Sequence, residues 1–250
     1  MKSSPVMLMM YNEWRRLWHA RIPVLLLLVL IVLWAISAIA AHHHWQDHAR
    51  TVTQVTERSL HDWESQPDRH PHRVSHYGDF VARPIHPLSV IEPGILDQSG
   101  HLVYLEGHRL NSANFNPATE ATSAGRFPII TPAMIVQWLM PLFLIMIGYA
   151  TITGEKIGGT LAFMRGNGMP AWKIAAGKWL ALFIPLAILL LAQALLVLFW
   201  IWGSEQALVR LSTMLLGQSL YIAGWCLLVV AISWSNQQLH SGLLALLLCW

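Results

Sequence analysis

Histidine is the first residue type in this sequence that could do chemistry. Eleven of the 13 histidines lie between His42 and His108, among them His42, His43, His44 and His48, then His70, His72 and His76. Two imidazoles at i and i+4 on a helix can share one transition-metal ion, and His44 and His48 have that spacing. No cysteine and no evident fixed carboxylate accompanies them. The cluster therefore reads as a solvated surface that binds metal weakly, and neither a metal nor a cofactor is assigned.

Other reactive patterns are absent. Gly177-Lys178 is followed by Trp179 and lacks the upstream glycine of a phosphate loop, so the chain cannot cradle a nucleotide by itself. There is no His-Glu-x-x-His motif and no catalytic pair of carboxylates inside an apolar stretch, which argues against an enzyme. Both cysteines, Cys226 and Cys249, fall in apolar runs and give the histidine-rich region no disulfide framework. The formal charge of +3 comes without the aromatic-interleaved basic patch of a nucleic-acid binder.

The elements that carry these residues are set by composition: 55% of the chain is apolar and only 12% charged, against about a quarter charged in a soluble domain. An α-helix needs about 20 apolar residues to cross a hydrocarbon layer of roughly 30 Å. Residues 22–41 hold no charge and form span 1. Thr131 and Pro132 supply an N-cap and a first-turn proline for span 2, residues 131–152. Span 3 covers 179–202 with a kink expected at Pro185, and span 4 covers 211–233. A fifth apolar run, 243–250, reads as the start of a span cut short and the chain as part of a longer protein. Gln137, Gln193 and Gln218 are expected to hydrogen-bond between helices rather than to line a path. With no Asp, Glu, Lys, Arg or His between the ends of the spans, a proton- or sodium-driven carrier is disfavoured.

Charge gives the orientation. Residues 1–21 carry Lys2, Arg15, Arg16 and Arg21 against Glu13, and 153–178 carry Lys156, Arg165, Lys173 and Lys178 against Glu155, a net +3 in each. The region from His42 to Phe127 sets seven arginines against ten carboxylates. Short positive loops stay in the cytoplasm, so the N-terminus and 153–178 are expected inside and the insertion, 42–130, outside. A cleavable signal peptide ending near Ala38-Ile39-Ala40 is the competing reading of the first span. Its apolar run is longer than a signal core, and an uncleaved anchor fits better.

Three segments outside the spans have patterns of their own. Within 1–21, Tyr11, Trp14, Leu17 and Trp18 share one helical face and Asn12, Glu13, Arg15, Arg16 and His19 cover the rest, as in an amphipathic interfacial helix. In the insertion, Trp45, Val52, Val55 and Trp63 support a helix continuing out of span 1, and Leu102–Leu105 a short strand. Prolines 67, 71, 84, 87 and 93 make the stretch between them irregular. From Thr153 to Lys178, glycines and Pro170 divide the chain into two short helices, one carrying Leu161, Phe163 and Met164, the other Trp172 and Ile174, as small apolar knobs suited to docking another protein.

The run Glu155-Lys156-Ile157-Gly158-Gly159-Thr160-Leu161, followed by Pro170 and Lys178, resembles the acidic-basic-x-x-Gly-Thr-Leu motif after the second span of ATP-binding-cassette permeases of the type-2 exporter class. His76-Tyr77-Gly78, Pro84, Pro87-Leu88, Pro93-Gly94 and Leu105-Glu106-Gly107-His108-Arg109 resemble the subgroup with a large insertion between spans one and two. The resemblance implies an all-α polytopic membrane protein with an irregular, partly helical extracytoplasmic insertion, seated in the bacterial inner membrane. It further implies a permease subunit of an ATP-driven exporter, with Glu155, Gly159, Thr160 and Leu161 at the coupling site. ATP hydrolysis would lie on a separate ABC ATPase subunit, and a second permease half would complete a homo- or heterodimer. The other reading is a membrane-anchored sensor or metal-binding protein using the histidine-rich loop.

Overall fold

A computed structural model describes residues 4–83, 85–96, 100–108, 113–114, 130–201 and 205–250. Pro84, Arg109 and Phe127, and Trp202 at the expected end of span 3, lie outside the described residues. The chain forms two compact units, Met1–Ala35 with Ala133–Trp250, and Ile36–Pro132.

Helix α1, Pro5–His19, is followed by α2, Ile22–Glu64, a single helix of 43 residues. At 1.5 Å per residue it is about 65 Å long, about twice a bilayer core. Its apolar half is the first expected span. The polar half stays helical because no glycine or proline interrupts it, and Thr51, Thr53 and Thr56 return their hydroxyls to the carbonyls of Asp47, Ala49 and Val52.

The remaining helices of the first unit are α4, residues 132–148, the short α5, Thr153–Ile157, and α6, Thr160–Gly166, then α7, Ala171–Ile201, α8, Glu205–Ser235, and α9, Leu239–Cys249. Among the described residues, four stretches are long and apolar enough to cross a membrane, those containing α2, α4, α7 and α8. The protein is thus an all-α polytopic membrane protein. The stretch containing α4 is the most enclosed, with 61% of its apolar window buried against 22% for α2 and for α8. It forms the centre of its unit. Met140, Leu144 and Ile145 are fully buried there, as are Leu182 and Leu186 of α7 and Ile222 of α8. Leu25 and Leu28 on α2, and Leu216 and Leu220 on α8, point away from the unit, where acyl chains are as favourable a medium as leucine.

Prolines in two of these helices leave backbone carbonyls without an internal partner, and aromatic side chains supply the missing donors. Pro141 has no N–H for the carbonyl of Gln137, four residues back, and a π-helical turn, Ile135–Leu139, occupies this stretch. The Tyr221 hydroxyl on α8 donates to the Gln137 carbonyl at 2.8 Å. Pro185 likewise frees the carbonyl of Ala181, and the Trp14 indole of α1 donates to it at 2.9 Å. Helix α7 runs through Pro185 as one element. Beside this contact, α1 lies tightly on α7 at Gly177, where a β-carbon would stand 2.4 Å from Met9 Cβ and 2.9 Å from the Val6 carbonyl oxygen. Deeper in the unit, the Trp34 indole donates to Gln193 at 3.2 Å and Gln193 donates to Gln218 at 2.8 Å, which ties α2, α7 and α8 by interhelical hydrogen bonds.

The second unit takes the polar part of α2, a four-residue helix α3, Pro71–Val74, a 3-10 turn, Pro87–Val90, and a three-stranded antiparallel sheet. Strand β1 is Asp79–Ala82, β2 is Leu102–Leu105 and β3 is Ala113–Asn114, in the order β1-β2-β3, with Phe80 opposite Tyr104. The expected strand at Leu102–Leu105 is present. The pairing of β1 with it, which makes the insertion less irregular than its prolines suggest, comes from residues 20 or more positions apart, and short-range pattern gives no access to that. Val90, Ile91 and Leu102 form the small core.

If the Trp14 indole compensates for Pro185, Trp14→Phe should lower stability by about 1–2 kcal/mol in thermal or chemical unfolding in detergent. In a Pro185→Ala background, where the substituted residue restores an N–H to the helix, the same change should cost clearly less.

Candidate functional site

The segment that joins α4 to α7 carries the sequence-derived coupling residues, and its local fold follows from two glycines. Gly158 ends α5, and Gly159 takes the left-handed conformation, φ 72°, before α6 begins at Thr160. Residues 153–178 therefore break at 158–159 as well as near Pro170. What the sequence suggested as a second short helix is the start of α7.

Glu155 and Lys156, adjacent in sequence, point to different partners. Lys156 donates to the carbonyls of Trp234 and Asn236, the latter at 3.0 Å, at the C-terminal end of α8 where the helix dipole is negative. Glu155 accepts from Lys178 of α7. Its other oxygen, Oε2, is buried with no hydrogen-bond partner among the described residues. Just before them, Ser233 of α8 accepts from the N–H groups of Ile152 and Thr153 at 2.9 and 3.1 Å, and the Thr153 hydroxyl donates to the Ser233 carbonyl at 2.7 Å. These bonds satisfy donors that a helix start leaves open.

The centre of the arrangement is Glu13. The helical-face pattern of α1 assigns it to the polar side, yet it is 1% exposed, and Met9 and Glu13 are the buried residues of that helix. Tyr11 and Trp18 are exposed instead. The polar face turns inward at this position because cations and a hydroxyl await the carboxylate. Lys178, itself 2% exposed, binds Glu13 Oε2 at 2.5 Å, the Thr151 hydroxyl donates to Oε1 at 2.7 Å, and Arg16 of the same helix forms an ion pair with Oε1. Burial works to raise the Glu13 carboxyl, but the hydrogen bond from Arg16 and the charges of Lys178 and Arg16 outweigh it and hold the group below the usual carboxylate range. Burial likewise opposes the Arg16 charge, and Glu13 outweighs it and raises that group. Glu13, Arg16, Thr151, Glu155 and Lys178 thus join α1, the end of the second span, α5 and α7. Sequence reasoning missed Glu13 as a member. The signal available was a lone acid three residues before an arginine in an otherwise basic helix.

Of the other expected coupling residues, Gly159 and Thr160 are exposed at the α5–α6 turn, and Leu161 is buried, 8% exposed. Ile174 is wholly buried too. The outward apolar side chains of the segment are Ile157, Phe163 and Trp172, at 62%, 72% and 64% exposure. The arrangement is a charged joint at the root of an exposed turn.

The sequence profile described as ABC-2 family transporter protein matches residues 10–235, which take in most of α1, the ion cluster and the four long apolar helices. The chain belongs to this family. Compared with curated proteins and with solved structures, it matches none. As an ABC-2 permease it is a transport subunit of an ABC transporter, and such subunits normally work with an ATPase.

Two outcomes test the joint. Removing the cation with Lys178→Met leaves two carboxylates facing each other and should destabilise this ABC-2 permease by about 3–5 kcal/mol, with part of the loss recovered by adding Glu13→Gln. Because the folded-state carboxyl of Glu13 titrates below its ordinary value of 4.5, its contribution is present above that pH and lost as pH falls through the lower folded value. Melting temperature measured from pH 6 downward should therefore fall more steeply below about pH 4.5 in the wild type than in Glu13→Gln.

Proposed function

We propose that the chain is one half of the membrane domain of an ATP-driven exporter in the bacterial inner membrane, and that residues 153–178 form its docking and coupling element for a separate ABC ATPase subunit. The N-terminus and this element face the cytoplasm and the insertion faces the opposite side, in keeping with the net +3 on residues 1–21 and on 153–178. A second half, of the same or another permease chain, completes the path.

The observation that carries this reading is the contrast within one short segment. Ile157, Phe163 and Trp172 are presented outward, while Glu155, Lys156, Thr153 and Leu161 are engaged or buried in the chain's own fold. A partner gripping the exposed side chains would act on a lever whose root is fixed to α1, α7 and α8. In this scheme Gly159 provides the turn, Thr160 starts α6, Leu161 anchors it and Glu155 passes the displacement to Lys178. Closure of two ATPase subunits on nucleotide then biases the spans between inward- and outward-facing packings.

A buried Leu161 makes Leu161→Asp a poor test of docking, since the substitution also disturbs packing. Phe163→Asp is the sharper one. It should reduce co-purification of the ATPase subunit at least about tenfold while leaving the melting temperature of the permease unchanged. Undiminished association would overturn the docking assignment. A topology reporter inserted at Gly100 should be active outside the cytoplasm only, and activity confined to the cytoplasm would reverse the orientation.

A further inference from the structure

We propose that His72, His76 and His108 form a site for one borderline divalent transition-metal ion, of the kind represented by zinc, on the insertion unit. The inference is independent of the coupling reading and concerns a different part of the chain. Each of these residues offers one imidazole nitrogen, and the three nitrogens lie within 4.8 Å of one another. Among the described residues no other group of three histidine, cysteine or acidic side chains meets that condition. The ring centroids stand 5.3, 5.8 and 5.2 Å apart for the pairs 72–76, 72–108 and 76–108.

The residues come from two separate turns that the backbone brings together. His72 lies in α3, whose start is capped by the His70 ring accepting from the His72 N–H at 3.3 Å, and His76 follows four positions on, after the helix. His108 lies just past the end of β2 and takes a left-handed conformation, φ 63°, which is uncommon outside glycine but is one that histidine tolerates better than most side chains. What places it is visible one residue earlier. The Gly107 N–H donates to the Ser75 carbonyl at 3.0 Å, and a β-carbon on Gly107 would stand 2.6 Å from that same oxygen. Only glycine permits the two turns to approach so closely, and the approach is what delivers His108 to His72 and His76.

Imidazole is the ligand class suited to zinc, copper(II) and nickel, and three histidines with an open fourth position is a known arrangement for zinc. Around one ion with bonds of about 2.0–2.1 Å, tetrahedral nitrogens are about 3.4 Å apart. The nitrogens, up to 4.8 Å apart, must close by up to about 1.4 Å, a movement available to them because all three side chains are exposed. Three neutral ligands leave the double charge of the ion uncompensated and a coordination position free, so the site can take a water or an anionic group from a molecule arriving at the insertion. The sequence pointed to the i, i+4 pair His44 and His48, and those rings do approach, at 4.1 Å between centroids. The converging triad needs His108, which lies 32 residues beyond His76.

The test is a calorimetric titration of the full chain, purified in detergent and stripped with chelator, with zinc chloride alone. One equivalent should bind to the wild type and to His48→Ala. Affinity should fall at least about 100-fold in His76→Ala and in His108→Asn, the latter chosen because asparagine tolerates the left-handed conformation, and about tenfold in Gly107→Ala, which keeps every ligand. No saturable binding, binding unaffected by His76→Ala and His108→Asn, or several equivalents lost equally in His48→Ala would each overturn the site.

Discussion

A carboxylate that is almost fully enclosed sits between a lysine and an arginine, and the organisation of the first unit turns on that fact. Isolated, a buried Glu13 would cost several kcal/mol, as would a buried Lys178. Together, with Thr151, Arg16 and Glu155 completing the hydrogen bonds, they are compatible with the interior only in one relative placement of α1, the turn after α4, α5 and α7. Apolar packing between helices in lipid is permissive about rotation and register. A charge cluster is not, because any slip leaves an unpaired ion.

The same logic appears in milder form along the spans. Helix-interrupting prolines are placed where a neighbouring helix holds a donor, Tyr221 for the carbonyl freed by Pro141 and Trp14 for that freed by Pro185. Each proline thus converts a defect in one helix into a directed bond to another, and Gln193 adds a polar link from Trp34 to Gln218. Trp14 and Glu13 are neighbours in α1. The helix is therefore fixed to α7 by a charged contact and a neutral one, side by side, with Gly177 permitting the closeness of both.

Much of this was legible in the sequence where the signal is local. Uninterrupted apolar runs gave the long helices, Trp45, Val52, Val55 and Trp63 gave the continuation of α2 beyond the first span, and interhelical bonding was the expected role of Gln193 and Gln218. Leu102–Leu105 read correctly as a strand. The misreadings have one physical origin. Face assignment by polarity put Glu13 among the solvated residues and Leu161 among the exposed knobs, because periodicity records what a side chain is and not what lies opposite it. Partners 165 positions away for Glu13, and 32 positions from His76 to His108, are set by tertiary approach alone. The acidic-basic pair Glu155-Lys156 was visible as a motif, but the division of labour between α7 and α8 that explains it required the geometry.

The claim that the ion cluster fixes α1 to the segment after the second span is open to a direct distance measurement. Spin labels at Asn12 of α1 and Ala162 of α6, both exposed, would be introduced by cysteine substitution after Cys226 and Cys249 are replaced by alanine. Pulsed electron spin resonance should give one narrow distance distribution in this background and a broad or multiple one when Lys178→Met is added. Distributions equally narrow and centred at the same distance in both proteins would show that the helices keep their places without the lysine, and would contradict the claim.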